Sequence, residues 1–395
     1  MEKKVFRLNE ICQIKSGKRI PKGMDYVTYQ TDHPYIRARD IKSGNILTEE
    51  LVYIEDKVYE KIKKYIIQKG DIAITVAGSV GDTGYANEIV DGYNLTENAV
   101  RLTNFTEAVD SKFLHYILMQ KHYYDYMQLI AGAAAQPKLG IYKIQKIRVV
   151  LPKVSIQKRI ADILTTYDNL IENNNKRIKL LEQMAENLYK EWFVRFRFPG
   201  FEDVEFENGI PKGWKIEILS DIADIIMGQS PKSENYNTNC EGLPFHQGVG
   251  SYGDFYLIDD IYSTKGNRIA EANSIIFSVR APVGRINITL NKIILGRGVA
   301  SINSVKGYNA YLLWMLKNQF QQEDIIGNGS IFTSVTKKEL FGFKILMPHD
   351  DLIQKFDSIA FGIESEMRKL SLINDNLTKQ RDLLLPRLMS GKLEV

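Results

Sequence analysis

Cysteine is nearly absent: Cys12 and Cys240 are the two in 395 residues. Two thiols build neither a four-ligand zinc site nor a disulfide framework, which fits a reducing compartment and a cytoplasmic protein. Long apolar runs are missing as well. No stretch approaches the ~18 consecutive apolar residues that a membrane-spanning helix needs. The segment Met1 to Cys12 is charged and has no apolar core, so no signal peptide is expected. Prolines are few, 11 in all, and the chain is 44% hydrophobic and 25% charged, which excludes disordered and collagen-like classes. The length fits two or three domains.

Charge of one sign is scarce too. The net charge is +4, too small to announce a polyanionic partner by itself. Residues 1–198 hold 31 Lys and Arg against 24 Asp and Glu, a balance of +7; the remainder holds 21 against 24, a balance of −3. A polyanion meeting the second half must therefore find a local patch.

Catalytic spacing is also wanting. The five histidines, at 33, 115, 122, 246 and 349, form no HExxH or other metal spacing. There is no [DN]PP[YFW] loop of an amino-methyltransferase and no FxGxG-type cofactor loop. No PD-(D/E)xK nuclease pattern stands out, since Asp203-Val-Glu205 lacks a following lysine. The glycine-rich stretches Gly78–Gly84 and Gly296-Arg-Gly298, and the segment Ser16-Gly17-Lys18-Arg19, do not run into a helix as GK[ST], so they read as turns linking strands.

What is present is a repeat of about half the chain. LNEICQIKSG (8–17) matches LSDIADIIMG (219–228) at an offset of 211. GDIAITVAGSVGDTGY (70–85) matches ANSIIFSVRAPVGRIN (272–287) at 203, and IRVVLP (147–152) matches FKILMP (343–348) at 196. The shrinking offset makes the first copy the longer one, with loops varying over shared anchors.

A heptad seam follows each matched proline. Ile160, Leu164, Tyr167, Ile171, Asn174, Ile178, Leu181, Ala185, Leu188 and Trp192 alternate steps of four and three. Adding 196 gives Phe356, Ala360, Ile363, Met367, Leu370, Asn374, Leu377, Arg381, Leu384 and Leu388, eight of them apolar. The alternative is two ordinary amphipathic helices, each on its own domain. A narrow seam, a length of roughly 40 residues (roughly 60 Å at ~1.5 Å per residue) and a shared register argue for pairing. A pseudo-twofold axis would make the pair antiparallel, with partner numbers totalling about 548, as Asn174 and Asn374 do. These two asparagines are expected to meet and set register. Pro199, Gly200, Gly209, Pro211 and Gly213 break the first helix near Phe198.

The regions before each helix read as mixed α and β. Strands are expected at 72–76, 100–102, 147–151, 275–279, 285–289 and 343–347, and helices at 112–119 and 308–318. The tyrosine-rich HYYDYM (122–127) offers stacking surfaces, but its helical context assigns it to the core.

With IRVVLPKVSIQKRIADIL (147–164), FKILMPHDDLIQKFDSIA (343–360), the linker GIPKGW (209–214) and the ending LLPRLMSGKLEV (384–395), the chain resembles, over its whole length, the specificity subunit of type I restriction–modification systems. The resemblance implies a mixed α/β (α+β) fold. A first target-recognition domain spans 1–152, a central long helix 153–198, a linker and second recognition domain 199–348, and a C-terminal long helix 349–395. Each domain would read one half of a split double-stranded DNA target, and the helices would form an antiparallel coiled-coil spacer. Partners implied are two methyltransferase subunits, which hold S-adenosylmethionine, and two restriction motor-nuclease subunits. This chain would carry no cofactor, no metal and no catalytic residue, and would meet no membrane.

Base reading needs donors and acceptors, and phosphates need cations or amides. Candidates in the first copy are Lys15, Lys18, Arg19, Lys22, Arg37, Arg39, Lys138 and Lys143. In the second they are Gln229, Ser230, Lys232, His246, Gln247, Arg280, Arg285, Arg297, Lys337 and Lys338. The segments after Gly17 and Gly228 stand out because the repeat makes them equivalent. Two rival readings remain: a hidden nuclease or methyltransferase, and a scaffold whose coiled coil merely dimerises it.

Overall fold

The structure is a computed structural model that describes residues 3–132, 137–320 and 334–393. The chain divides into two compact units: Met1–Ile171 with Asp375–Val395, and Glu172–Asn374.

In the first unit a four-stranded antiparallel sheet runs in the order Gln13–Ser16, Ala99–Thr103, Ile72–Thr75, Thr83–Tyr85. Its middle strands are wholly buried and mostly apolar, and the one charge they bury, Arg101, is paired with Asp71 at 2.8 Å. A smaller sheet joins Val52–Tyr53, Pro34–Ile36 and Asn94–Leu95, the last two in parallel. A separate ribbon pairs Lys4–Arg7 with Arg148–Leu151. Helix Ser111–Met119 starts where Asp110 accepts from Phe113 N at 2.9 Å, an ordinary N-cap.

The second unit repeats this plan. Its four-stranded sheet runs Ala223–Met227, Val299–Ser304, Ile275–Ser278, Ile286–Ile288. A parallel pair, Leu243–His246 with Ile293–Leu295, lies within a second sheet. The ribbon is Lys215–Ile218 with Lys344–Met347. Lys4 faces Leu151 and Lys215 faces Met347, so one register holds although one partner has moved by 211 residues and the other by 196. Helix Asn309–Phe320 is buried from Ala310 to Leu316.

The long helices are Val154–Tyr189, followed by a π-turn Lys190–Val194, and Asp350–Ser390. The first α-helix thus stops before the expected Phe198, because its last turn widens rather than meeting a proline. The two ends close alike: Arg197 N donates to Glu191 O at 2.7 Å, and Leu393 N to Arg387 O at 3.3 Å, again 196 residues apart. Such long-span bonds satisfy carbonyls that a helix end leaves open.

Each unit holds an antiparallel pair made from part of each helix. In the second unit Asn174 pairs with Asn374, Arg177 with Glu366 at 3.2 Å, and Tyr189 with Phe356 at 5.8 Å between rings. Asn174 Nδ2 donates to Asn374 Oδ1 at 2.8 Å, and Asn374 Nδ2 donates to Asn175 Oδ1 at 2.7 Å. In the first unit Ile160 and Leu164 share a core with Leu388. There the polar seam residue Arg381 is answered by Asp168 at 2.7 Å, which also accepts from the Tyr116 hydroxyl.

Candidate nucleic-acid interface

The candidate site is a set of loops tied together by main-chain bonds at one end of each four-stranded sheet. In the first unit Gly17 N donates to Ala99 O at 3.0 Å, Lys18 N to Leu95 O at 2.8 Å and Thr96 N to Ile36 O at 3.0 Å. Val76 N then donates to Asn98 O at 2.7 Å, and Leu139 N to Val76 O at 2.9 Å. The second unit makes each link again. Gly228 N donates to Val299 O at 3.0 Å, Gln229 N to Leu295 O at 2.9 Å and Gly296 N to His246 O at 2.8 Å. Val279 N donates to Gly298 O at 2.9 Å, and Val335 N to Val279 O at 2.9 Å. Paired backbone groups leave little freedom, so each frame is stiff.

Two glycines are needed for this approach. A Cβ on Gly17 would lie 2.0 Å from Thr96 O, and one on Gly228 would lie 2.0 Å from Gly296 O. No side chain fits either place, which explains why both copies of the repeat keep glycine there.

The frame sets side chains of the two units in correspondence. Lys18 stands where Gln229 stands, Arg19 where Ser230 does, and Arg37 where Gln247 does. Ala77 corresponds to Arg280, Glu97 to Arg297 and Lys138 to Ser334. The first unit carries its cations on the loops after Gly17 and Ile36. The second carries them on the loops after Val279 and Gly296. This relocation is how the more acidic half keeps a local cationic patch.

The candidates differ in how free they are. Lys15, Lys18, Lys22, Arg39 and Lys138 are exposed. Lys18 Nζ lies 5.5 Å from the Tyr65 ring centre, and Arg19 Nε is 3.0 Å from Glu97. Arg37 is a correction. Its guanidinium is spent on Asp40 at 2.8 and 2.9 Å and on the Glu50 carbonyl, and its side chain is 16% exposed. Lys143 is another: it is half-buried and caps the Ile130 carbonyl at the end of helix Lys121–Ala131. In the second unit Gln229, Lys232, Gln247, Arg280, Arg285, Arg297, Lys337 and Lys338 are exposed. Ser230 Oγ accepts from Arg297 N at 3.1 Å, so this hydroxyl ties two loops together. Lys337 Nζ lies 4.9 Å from the Phe341 ring centre.

His246 is fully buried, with Nδ1 2.7 Å from Ser251 Oγ and Nε2 2.9 Å from Asp259, so it cannot reach a base edge. The tyrosine-rich helix also departs from expectation. Met127 is its buried residue, Tyr123 and Tyr124 are half-buried, and Tyr126 is 44% exposed. His115 is a core residue whose imidazole burial pushes down to about 4 and so holds neutral. Among the described residues no group of three or more His, Cys, Asp or Glu is placed to hold a metal ion. No helix among them is long and apolar enough to cross a membrane.

Asn98 and Ser334 stand at frame positions that sequence reasoning missed. For Asn98 the signal is LTENAV (95–100) over LGRGVA (295–300), at an offset of 200, anchored by Leu95 and Leu295.

Known proteins place the chain. A family model described as "Type I restriction modification DNA specificity domain" matches residues 1–183 and 211–361. The putative type I restriction enzyme MjaX specificity subunit of Methanocaldococcus jannaschii is 29% identical over 99% of this chain and 93% of its own length. The type I restriction enzyme HindI specificity subunit of Haemophilus influenzae is 22% identical over 89% and 94%. Among solved structures, the type I restriction–modification S subunit from M. genitalium has the same fold, with a TM-score of 0.60 and 17% identity over 98% of this chain and 96% of that one. Two matched segments that together span most of the sequence, each holding one copy of the loop frame, make this chain a member of the type I restriction–modification DNA specificity family.

Proposed function

We propose that the chain is the DNA-recognition subunit of a type I restriction–modification complex, in which each unit's loop frame reads one half of a bipartite duplex target. The observation that carries this reading is one backbone frame used twice with different side chains. A homodimer would present equal surfaces to equal half-sites. Here Lys18 and Arg19 are exposed in one copy, and Gln229 and Arg297 in the other, so the half-sites differ. Lysine and arginine suit phosphates and guanine edges, whereas Gln229 and Gln247 suit adenine edges.

The long helices serve as the spacer that fixes half-site separation. Their outward residues Leu180, Met184 and Phe361, 64, 56 and 65% exposed, offer apolar surface on which methyltransferase subunits dock. S-adenosylmethionine belongs to those subunits, and two motor-nuclease subunits complete the complex. This chain supplies recognition and no bond-making step. A purified chain that methylated or cut DNA alone would overturn that division.

The test is selection from a randomised duplex library, followed by gel-shift comparison of enriched and random duplexes at physiological salt. A split motif bound several kcal/mol more tightly than random DNA is expected. Equal affinity for both would leave a scaffold instead.

A further inference from the structure

We infer that His246 is the positioning residue of the second reader: its buried ring fixes the loop that carries Gln247 and, through it, the turn that carries Arg297. This rests on the reading of that frame as a DNA interface. The imidazole is 0% exposed and engaged on both nitrogens. Nδ1 meets Ser251 Oγ at 2.7 Å, and Nε2 meets Asp259 Oδ1 at 2.9 Å. The other Asp259 oxygen accepts from Asn291 Nδ2 at 2.7 Å, and Ser251 Oγ contacts Gly248 O at 3.3 Å. One ring therefore joins strand Leu243–His246, the loop Gly248–Ser251, the segment at Asp259 and the turn at Asn291.

Gln247 sits between the pinned ring and the returning serine, so its backbone has little room to swing. That backbone in turn bears on the arginine turn. Gly296 N donates to His246 O at 2.8 Å, while a Cβ on Gly298 would lie 2.2 Å from Gln247 O and one on Gly296 would lie 2.8 Å from Gln247 Cα. The Gly-Arg-Gly turn can approach this closely because both flanking residues lack a side chain, and Arg297 is then aimed outward and exposed. A polar network with its partners made rigidifies its surroundings, whereas a half-made one does not.

The first unit does the same job without polarity. Ile36 holds the equivalent place, accepts from Thr96 N at 3.0 Å and is 0% exposed. There Arg37, the next residue, is steadied by its own bonds to Asp40. Gln247, with no side-chain bond of that kind among the described residues, depends on the residue before it.

The experiment uses the full chain and the randomised duplex library, with the information in each half of the enriched motif read separately. His246→Ile fills the place as the first unit does but removes both bonds. It is expected to blur one half-motif at least tenfold in discrimination while leaving the other unchanged. His246→Gln, able to donate to Asp259 and accept from Ser251, is expected to restore the blurred half. Ser251→Ala, which cuts one arm and disturbs packing least, should give an intermediate loss if His246→Ile fails to fold. Two sharp half-motifs with both His246→Ile and Ser251→Ala would overturn the inference, as would equal blurring of both halves by chains that melt like wild type. Absence of any split motif with the wild-type chain is a different failure, that of the recognition reading itself.

Discussion

At the scale of single residues, the buried carboxyl of Glu364 has the clearest measurable consequence. Burial pushes its pKa up to about 8, and Asp357 adds to this, while the Trp314 N–H, donating at 2.9 Å, and Lys317 oppose it. The native state then holds a proton that the unfolded chain releases near its ordinary value of 4.5. More protons bound in the native state means that stability falls as pH rises between those two values and levels off above about 8. Glu364→Gln keeps an oxygen for Trp314 and cannot ionise. The variant should melt with wild type near about pH 4 and a few degrees above it near about pH 8.5. Melting curves that stay parallel across this range would refute the assignment.

Legibility at this scale was uneven. Exposed Lys18 and Gln229 stand out because the repeat makes the segments after Gly17 and Gly228 equivalent, whereas Arg297 and Gln247 were candidates by residue type alone. Arg37, Lys143 and His246 looked the same in sequence. What separates them is a partner far along the chain or across a turn: Glu50, Ile130 and Asp259. Such pairing leaves no periodic trace, so residue type alone could not sort exposed side chains from bonded ones.

At the scale of elements, the paired asparagines divide stability from specificity. Both are 9% exposed in a seam whose other charged or amide member is Arg381, with Asn174 donating to Asn374 at 2.8 Å. Asn374→Leu alone leaves the Asn174 amide without its partner, at a cost of about 1–3 kcal/mol. Replacing both by Leu removes the polar groups together and should melt at or above wild type. A double-mutant cycle by urea unfolding measures the coupling, and strictly additive single effects would show that the pair does not interact.

The seam was readable because a heptad is a strong periodic signal, and the repeat fixed its partner by simple numbering. The π-turn after Tyr189 was not readable. It depends on Trp192 packing with Phe356 and Phe193 with Tyr311 and Phe356, at ring-centre distances of 5.1 to 5.8 Å. Strands at 72–75, 148–151, 275–278 and 344–347 came through because each is a short apolar run of strand length. The parallel pair Pro34–Ile36 with Asn94–Leu95 did not, since strands of three and two residues carry no period.

At the scale of the whole molecule, recognition cannot rest on bulk charge. With +4 over the chain and −3 beyond residue 198, salt dependence must come from few contacts. If Arg280 and Arg297 each neutralise a phosphate, replacing both with Ala lowers the slope of log affinity against log salt by about 2. Titrations of the enriched duplex at several salt concentrations measure this. An unchanged slope with relaxed preference in one half-motif would assign the arginines to base edges instead.

The division into units has a further effect, on the order in which the chain can fold. The second unit, Glu172–Asn374, is one unbroken stretch, whereas the first joins Met1–Ile171 to Asp375–Val395. Leu388 lies in the first unit's core with Ile160 and Leu164, and Leu384, Leu385 and Met389 pack against it. On a ribosome, the first sheet emerges early but waits for these leucines until the entire intervening unit has been made. Closing that long loop as an open coil would carry an entropic cost growing with the logarithm of its length. A second unit that has already folded replaces the coil with a compact body, so the segment translated later completes the one translated first.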